Sequence, residues 1–377
     1  MSRIRPSPWN ISSKARVFAP GYLYPENRST MPEPYSGQCF SHITKPDDSP
    51  ALRMVRQPEA GAANMDVQFY GFLHLRDTEQ STVNVQVSSF LDQVRIYCSN
   101  ALALKRSLEA YGLPFTLLTN SQETIARAHP EAAAEVPLQT IPFHTQVPEG
   151  IRFFSGHYKL DVLRYLGSLD DPYVALLDLD MMAMNPPPEA FAVSVENQIP
   201  MAYDITEQVE PSAPPGSLKS QLEDILQRPS PGRWSGGEFL SGPPRFFAAL
   251  TNACESIYDR YVELIPTAAR VGNEPYQSAA LDILRHEGMH IDDAGRSGVV
   301  ARYWNMWTKH KQPPFRAFAS QFLLHLPVDK FILQKISKRG PLQPGQALAL
   351  YRSMKWQWIF LELLARARKI LRSGDSR

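Results

Sequence analysis

Cysteine is scarce. The 377 residues hold three, Cys39, Cys98 and Cys254, odd in number and far apart. That spacing builds neither a disulfide framework nor a zinc pattern, and it suits a reducing compartment. Long apolar runs are also missing: no stretch approaches the roughly 20 residues that a helix needs to span a bilayer. The first residues, Met1 to Pro6, have no apolar core of a signal peptide, so no secretion signal is expected. Charge of one sign is lacking too. A formal net charge of +1 gives no general pull towards nucleic acid, which excludes a nucleic-acid binder unless its basic residues cluster. No internal repeat is visible. A cytoplasmic protein, soluble or peripheral on the inner face of a membrane, is the expectation.

What is present is material for a large core, with 43% apolar and 20% charged residues. Residues 1–64 are rich in Pro, Ser, Gly and charge without periodicity, and read as an irregular N-terminal extension. Regular patterning starts at 67–75, a strand, with a second strand at 82–87. A helical stripe through Ala101, Leu104, Leu108 and Tyr111 ends at Gly112 and Pro114. Strands at 114–120 and 136–143 enclose a helix capped by Ser121. A helix over 157–166 then leads into the run Tyr173-Val174-Ala175-Leu176-Leu177-Asp178-Leu179-Asp180. Further on, the pattern predicts a strand at 200–204, helices at 218–226, 243–261 and 273–286, and a late strand at 322–326. Strand alternating with helix is the mark of a mostly parallel sheet with crossover helices, an α/β fold.

The apolar run before Asp178 reads as a strand buried on both faces. Carboxylates at its C-terminal end fall where open α/β sheets place ligands. Asp178 and Asp180 are two residues apart, so an extended backbone points them the same way. Two readings fit: an exposed turn with a capping aspartate, or a hard-cation site that holds a phosphorylated ligand. Lys159 falls near a helix start, where the dipole disfavours a cation; it is a helix-surface lysine or a ligand group. The pair Gly236-Gly237, inside a strand-like run, marks a bulge or a close approach of backbone to ligand.

Taken in order, these features resemble the GT-A fold nucleotide-sugar glycosyltransferases. The likeness is to family 8, which includes glycogenin and the lipopolysaccharide galactosyl- and glucosyltransferases. The row Tyr158-Lys159-Leu160, Val174 to Leu177, Asp178-Leu179-Asp180, Asn185-Pro186 and Ala190-Phe191 carries it. Downstream follow Asp204, Ser235-Gly236-Gly237-Glu238, Asn273-Glu274, and His325 with Lys330. The match spans roughly residues 67–335. The chain departs from the family at Leu179, where Ala is usual, at Ser235, where Asn is usual, and after His325, where the family's glycine is absent.

The resemblance implies a Rossmann-like, mostly parallel central sheet flanked by helices over residues 65–335. It also implies transfer of a hexose from a nucleoside-diphosphate sugar, UDP-linked, to a glycan or lipid-linked acceptor with retention. Asp178, Asp180 and His325 would hold Mn²⁺ or Mg²⁺, hard oxygens with one imidazole favouring Mn²⁺ over Ca²⁺; alone, His325 reads as a core histidine. Asp178, Leu179 and Asp180 with Lys159 and Lys330 would line the donor phosphates, Lys330 as a point charge. Gly236 and Gly237 would admit the sugar. Asp204 and Glu274 would hydrogen-bond its hydroxyls or orient the acceptor, unless they are caps or surface carboxylates.

Residues 336–377 are expected to end the chain as a basic amphipathic helix. Trp356, Ile359, Phe360, Leu363 and Leu364 form a stripe flanked by Arg352, Lys355, Arg366, Arg368 and Lys369. Such a helix binds a membrane surface or docks on the body of the protein. Two other functions stay open at this point. One is a haloacid-dehalogenase-type phosphohydrolase with Asp178 as nucleophile and Asp292-Asp293 as a later acidic pair. The other is an inactive GT-A-like protein that binds a glycan or a partner.

Overall fold

The computed structural model describes residues 65–76, 87, 89–151, 154–306 and 308–357. The N-terminal extension, the strand expected at 82–87 apart from Val87, and the terminal helix beyond 357 lie outside the described residues.

The expected α/β architecture is present. The first half of the described chain holds β1 (Gln68–Leu73), α1 (Phe90–Glu109), β2 (Phe115–Thr119), α2 (Gln122–Ala128), α3 (Pro130–Glu135) and β3 (Leu138–Thr140). A 3-10 turn at Phe154–Tyr158 leads into α4 (Lys159–Leu166), followed by β4 (Val174–Leu177), β5 (Met181–Ala183), α5 (Glu189–Glu196) and β6 (Met201–Asp204). Then come α6 (Thr206–Val209), α7 (Ser217–Leu226), β7 (Ser235–Gly242), α8 (Pro244–Leu264) and α9 (Asn273–His286). The last elements are β8 (Asp292–Asp293), β9 (Val300–Arg302), α10 (Phe315–Phe318), β10 (Leu323–His325) and α11 (Lys330–Ser337).

Seven strands form the main sheet in the order β3-β2-β1-β4-β7-β6-β8. Neighbours are parallel except where β7 runs against β4 and β6. All four residues of β4 are buried, as a central strand covered on both faces requires. Three local readings shift. Helix α1 starts eleven residues before the apolar stripe, capped by Ser89, whose hydroxyl accepts from the Asp92 amide; buried Gln93, Ser99 and Asn100 hide its period. Strand β3 is shorter than 136–143 because Pro137 and Pro142 bracket it and proline cannot donate to a ladder. In β7, Leu240 faces Ala202 while Ser235 faces Asp204. Between those pairs β7 has the four residues Gly236 to Phe239 against Tyr203 alone in β6, so it bulges relative to β6 while Phe239 stays paired with Leu177 of β4.

A second, smaller sheet has the order β5-β10-β9. Strand β5 follows β4 after only the three residues Asp178-Leu179-Asp180, so that turn carries the chain from one sheet into the other. The second sheet has an apolar cluster on each face: Met181, Ala183, Val300 and Leu323 belong to the main core, while Met182, Met184 and Leu324 join Ile332, Leu333 and Tyr351 in a smaller one. Helix α1 lies along both: its Ser107 hydroxyl accepts from Ala183 of β5, and its Arg106 donates to Glu135 and to the Ser337 carbonyl. Residues 346–357 are helical. They dock on the second cluster through buried Tyr351, whose hydroxyl donates to Asp329 at 2.7 Å. Lys355 lies over the rings of Tyr303 and Phe315. Trp356 is 70% exposed.

Candidate functional site

The inter-sheet turn places two carboxylates within reach of one imidazole. One ligand atom from each of Asp178, Asp180 and His325 lies within 4.8 Å of the others. His325 ends β10 directly opposite Met181 of β5, and the Leu326 amide donates to the Asp180 carbonyl at 2.8 Å. Those antiparallel contacts hold the histidine against the aspartate turn. Leu179 faces the other way. It packs into the notch above Gly71 of β1, where an added Cβ would stand 2.6 Å from its Cδ2.

Two lysines converge on the same carboxylates. Lys159, at the first position of α4 and buried, donates to Asp178 Oδ1 at 2.6 Å and to the Gly237 carbonyl. Lys330, at the start of α11, donates to Asp180 Oδ2 and to the Pro327 carbonyl. With its amide nitrogen assigned to face the two carbonyls, Asn100 of α1 donates to the backbone of Ile96 and Lys330. Asp178 keeps 30% of its side chain exposed, while Asp180 is buried.

Behind His325 stands a chain of buried charge that the residue patterns did not single out. Glu238 is fully buried, with its Oε1 3.2 Å from His325 Nδ1. The approach is oblique, and that ring nitrogen has no hydrogen bond in line. Arg302 donates from Nε to Glu238 Oε1 at 2.7 Å and from Nη2 to Glu238 Oε2 at 2.5 Å. Its Nη2 also reaches Glu274 Oε1 at 2.8 Å, and Glu274 accepts from Trp234 Nε1 at 3.1 Å.

The electrostatics follow from this packing. Burial works against every charged form here, and the partners outweigh it. Burial raises Asp180, but Lys330 and His325 bring it well below the usual carboxylate range. Glu238 is depressed in the same way by Arg302 and His325, and Glu274 by Arg302. Burial lowers His325, yet Asp180 and Glu238 lift it to about 9.

The other residues picked from the sequence lie around this centre. Asp204 ends β6 and its Oδ1 accepts from the Thr206 amide and hydroxyl, at 2.9 and 2.6 Å. Glu274 lies in the first turn of α9. Gly236 and Gly237 sit in the β7 bulge: a Cβ on Gly237 would stand 2.3 Å from Asn273 Nδ2, and one on Gly236 2.3 Å from Glu238 Oε2. A side chain at either glycine would have to push the Glu238 carboxylate or the Asn273 amide aside. Asp292 and Asp293 do not join Asp178, Asp180 and His325 in the possible metal group found among the described residues. Sequence reading named Glu238 only within the Ser235-Gly236-Gly237-Glu238 segment, without a role, and passed over Arg302. Their signal was a lone charge in an uncharged strand and an arginine closing the apolar run Val299-Val300-Ala301.

Beyond Glu274 opens a cleft of about 410 Å³ between Ile151, Ser212, Ile265, Arg270, Val271 and Glu274. Arg270 Nη1 lies 3.9 Å from Glu274 Oε2, and its buried Nε has no hydrogen-bond partner. The donor set fits a divalent ion: two carboxylates and an imidazole, hard oxygens with one nitrogen, on one side of a fixed turn. The cleft pairs a guanidinium with a carboxylate between apolar walls, a lining that suits hydroxyl-bearing ligands.

No protein-family model matches the chain, and no curated protein matches it in sequence. Solved structures similar to it include two of one galactosyltransferase. The galactosyltransferase LgtC in complex with donor and acceptor sugar analogues shares 9% identity at a TM-score of 0.42, covering 75% of this chain and 99% of that one. An active-site mutant of LgtC shares 11% at 0.43, covering 74% and 99%. At those scores neither likeness assigns a residue or a reaction.

Proposed function

We propose that the chain is a metal-dependent glycosyltransferase that moves a hexose from a nucleoside-diphosphate sugar to a glycan or lipid-linked acceptor. The observation that carries this reading is the meeting of Asp178, Asp180 and His325 with Lys159 and Lys330 at the C-terminal end of β4. A sugar nucleotide leaves as a diphosphate, so charge grows on the β-phosphate oxygen as the glycosidic bond breaks. Asp178, Asp180 and His325 would hold a divalent ion, which would supply Lewis-acid stabilisation of that charge. Lys330, and Lys159 beside Asp178, add point charges that can donate to phosphate oxygens. Glu274 and Arg270 offer an acceptor and a donor to sugar hydroxyls in the neighbouring cleft. The motif order favours a UDP-sugar, Mn²⁺ and retention of configuration.

The phosphohydrolase reading is less well supported. Asp178 is engaged by Lys159, and Asp292 and Asp293 stand apart from the possible metal group. Incubation with a panel of nucleotide sugars and Mn²⁺, assayed for free nucleoside diphosphate, tests the proposal. Release is expected from at least one donor, and Asp180→Ala is expected to lower it by about 100-fold or more. Phosphomonoester hydrolysis without any sugar nucleotide would overturn the reading in favour of the phosphatase. Donor binding without turnover would favour the inactive module.

Contact with an anionic membrane is part of the same proposal. Residues 300–357 contain ten Lys or Arg, eight of them besides the site residues Arg302 and Lys330, against the single acid Asp329, although the whole chain is nearly balanced at 39 to 38. Among the described residues, three of the four large exposed apolar side chains, Met306, Phe331 and Trp356, lie in this segment. Basic surface with exposed apolar groups is the composition that binds anionic lipid.

A further inference from the structure

Arg302 reaches no exposed ligand position, yet both ends of the site lean on it. It closes β9 in register with His325 of the adjacent β10 and is buried. Its backbone amide donates to the Tyr203 hydroxyl at 3.1 Å, and its carbonyl accepts from Gln208 Nε2 at 3.2 Å, so its own place is fixed. The guanidinium then spends its donors on two different carboxylates. One is Glu238, held by both Nε and Nη2; the other is Glu274, held by Nη2.

Stability is a poor explanation for this arrangement. Taking three ionised groups out of water is costly, and well-packed apolar residues often serve a core as well or better. Geometry explains it. A two-point guanidinium–carboxylate contact sets the plane of the carboxylate as well as its position. Glu238 Oε1 approaches His325 Nδ1 obliquely at 3.2 Å, so the plane of Glu238 decides whether Nδ1–H has an acceptor. When it does, Nδ1 keeps its proton, and Nε2, 3.1 Å from Asp180 Oδ1, is the nitrogen that would lose its proton to take a ligand role. Glu274, on the other arm of the fork, lines the cleft beside Arg270.

We infer that Arg302 is a positioning residue: through Glu238 it orients His325 towards Asp180, and through Glu274 it sets one wall of the neighbouring cleft. The inference rests on the reading of Asp178, Asp180 and His325 as a metal site. Lysine keeps the charge of Arg302 but offers one donor point in place of a fork. Arg302→Lys is therefore expected to weaken Mn²⁺ binding about tenfold, the usual scale for loss of a partner behind a metal ligand.

The test is Mn²⁺ titration of the full chain, followed by electron paramagnetic resonance, for wild type, Arg302→Lys and Asp180→Ala. Weakening in both variants supports the inference. Weakening in Asp180→Ala with unchanged affinity in folded Arg302→Lys overturns the role of Arg302 and leaves the metal site standing. Unchanged affinity in Asp180→Ala overturns the metal site itself. A second readout does not depend on the variant folding. In wild type labelled with ¹⁵N-histidine and loaded with Zn²⁺, the His325 signal, assigned by its loss in His325→Gln, is expected to show the proton on Nδ1. A proton on Nε2 would overturn the inference.

Discussion

His325 is held as an imidazolium between Asp180 and Glu238, and that has a measurable consequence for the metal-free chain. Its folded pKa lies near 9 against an ordinary 6.5. Stability from this residue is therefore complete below pH 6.5 and disappears as the pH rises through 9. The full difference is about 3 kcal/mol for a shift of this size. Thermal melts in EDTA are expected to fall between pH 6.5 and 9, and His325→Gln is expected to flatten that slope. The depressed carboxylates act at the other end: what Asp180 and Glu238 contribute is present above about pH 4 and is lost as the pH drops further. At this scale, the aspartates were legible because an apolar strand ending in two acids is a local pattern. Glu238 and Arg302 were not, because each is a lone charge whose partner lies 64 residues away, and no local pattern separates a buried pair from two solvated surface residues.

Among the elements, the contact between α4 and α8 is set by one missing side chain. Gly167 caps α4, and a Cβ there would stand 2.7 Å from the backbone nitrogen of Ala248 in α8. Backbone cannot step aside as a side chain does, so Gly167→Ala must part the two helices. It is expected to cost about 1–3 kcal/mol, the usual range for overpacking, read as a lower urea midpoint with an unchanged slope. Because α4 begins at Lys159, the same change is also expected to disturb the Lys159–Asp178 contact. Element types were largely readable, since hydrophobic period and capping signals such as Ser121 are local. Strand direction was not. The reversal of β7 follows from pairing with β4 and β6, and nothing within Ser235–Gly242 encodes which way it runs. The early start of α1 was hidden for a related reason: its polar residues are buried against α2, α3 and α11.

For the whole molecule, charge is distributed unevenly in a way that the net value conceals. From residue 300 onward the sequence has 15 Lys or Arg and three acids; before it there are 24 and 35. Cosedimentation with anionic vesicles is expected, with little binding to neutral ones. Deleting residues 358–377 together with Phe331→Ser is expected to lower binding more than about tenfold, at roughly 1 kcal/mol for each cation removed. Truncation after residue 357 keeps Tyr351 and its bond to Asp329, so the docked part of the helix is retained. Equal sedimentation of the truncated and full chains would sink the membrane proposal.

The passage of β4 into β5 through Asp178-Leu179-Asp180 joins the main sheet to the second sheet. A ligand gripped by this turn and by His325 or Lys330 would clamp the second sheet to the first. Opening β9 and β10 would then require the ligand to leave. Hydrogen exchange offers the readout. With Mn²⁺ and a bound sugar nucleotide, amides of β10 and β9 such as Leu323 and Tyr303, bonded across to Val299 and His325, are expected to slow markedly. Amides of β1 and β2, already inside the main sheet, are expected to change little. Ligand occupancy would thus be recorded as the local rigidity of a region that begins more than 100 residues downstream of the aspartates.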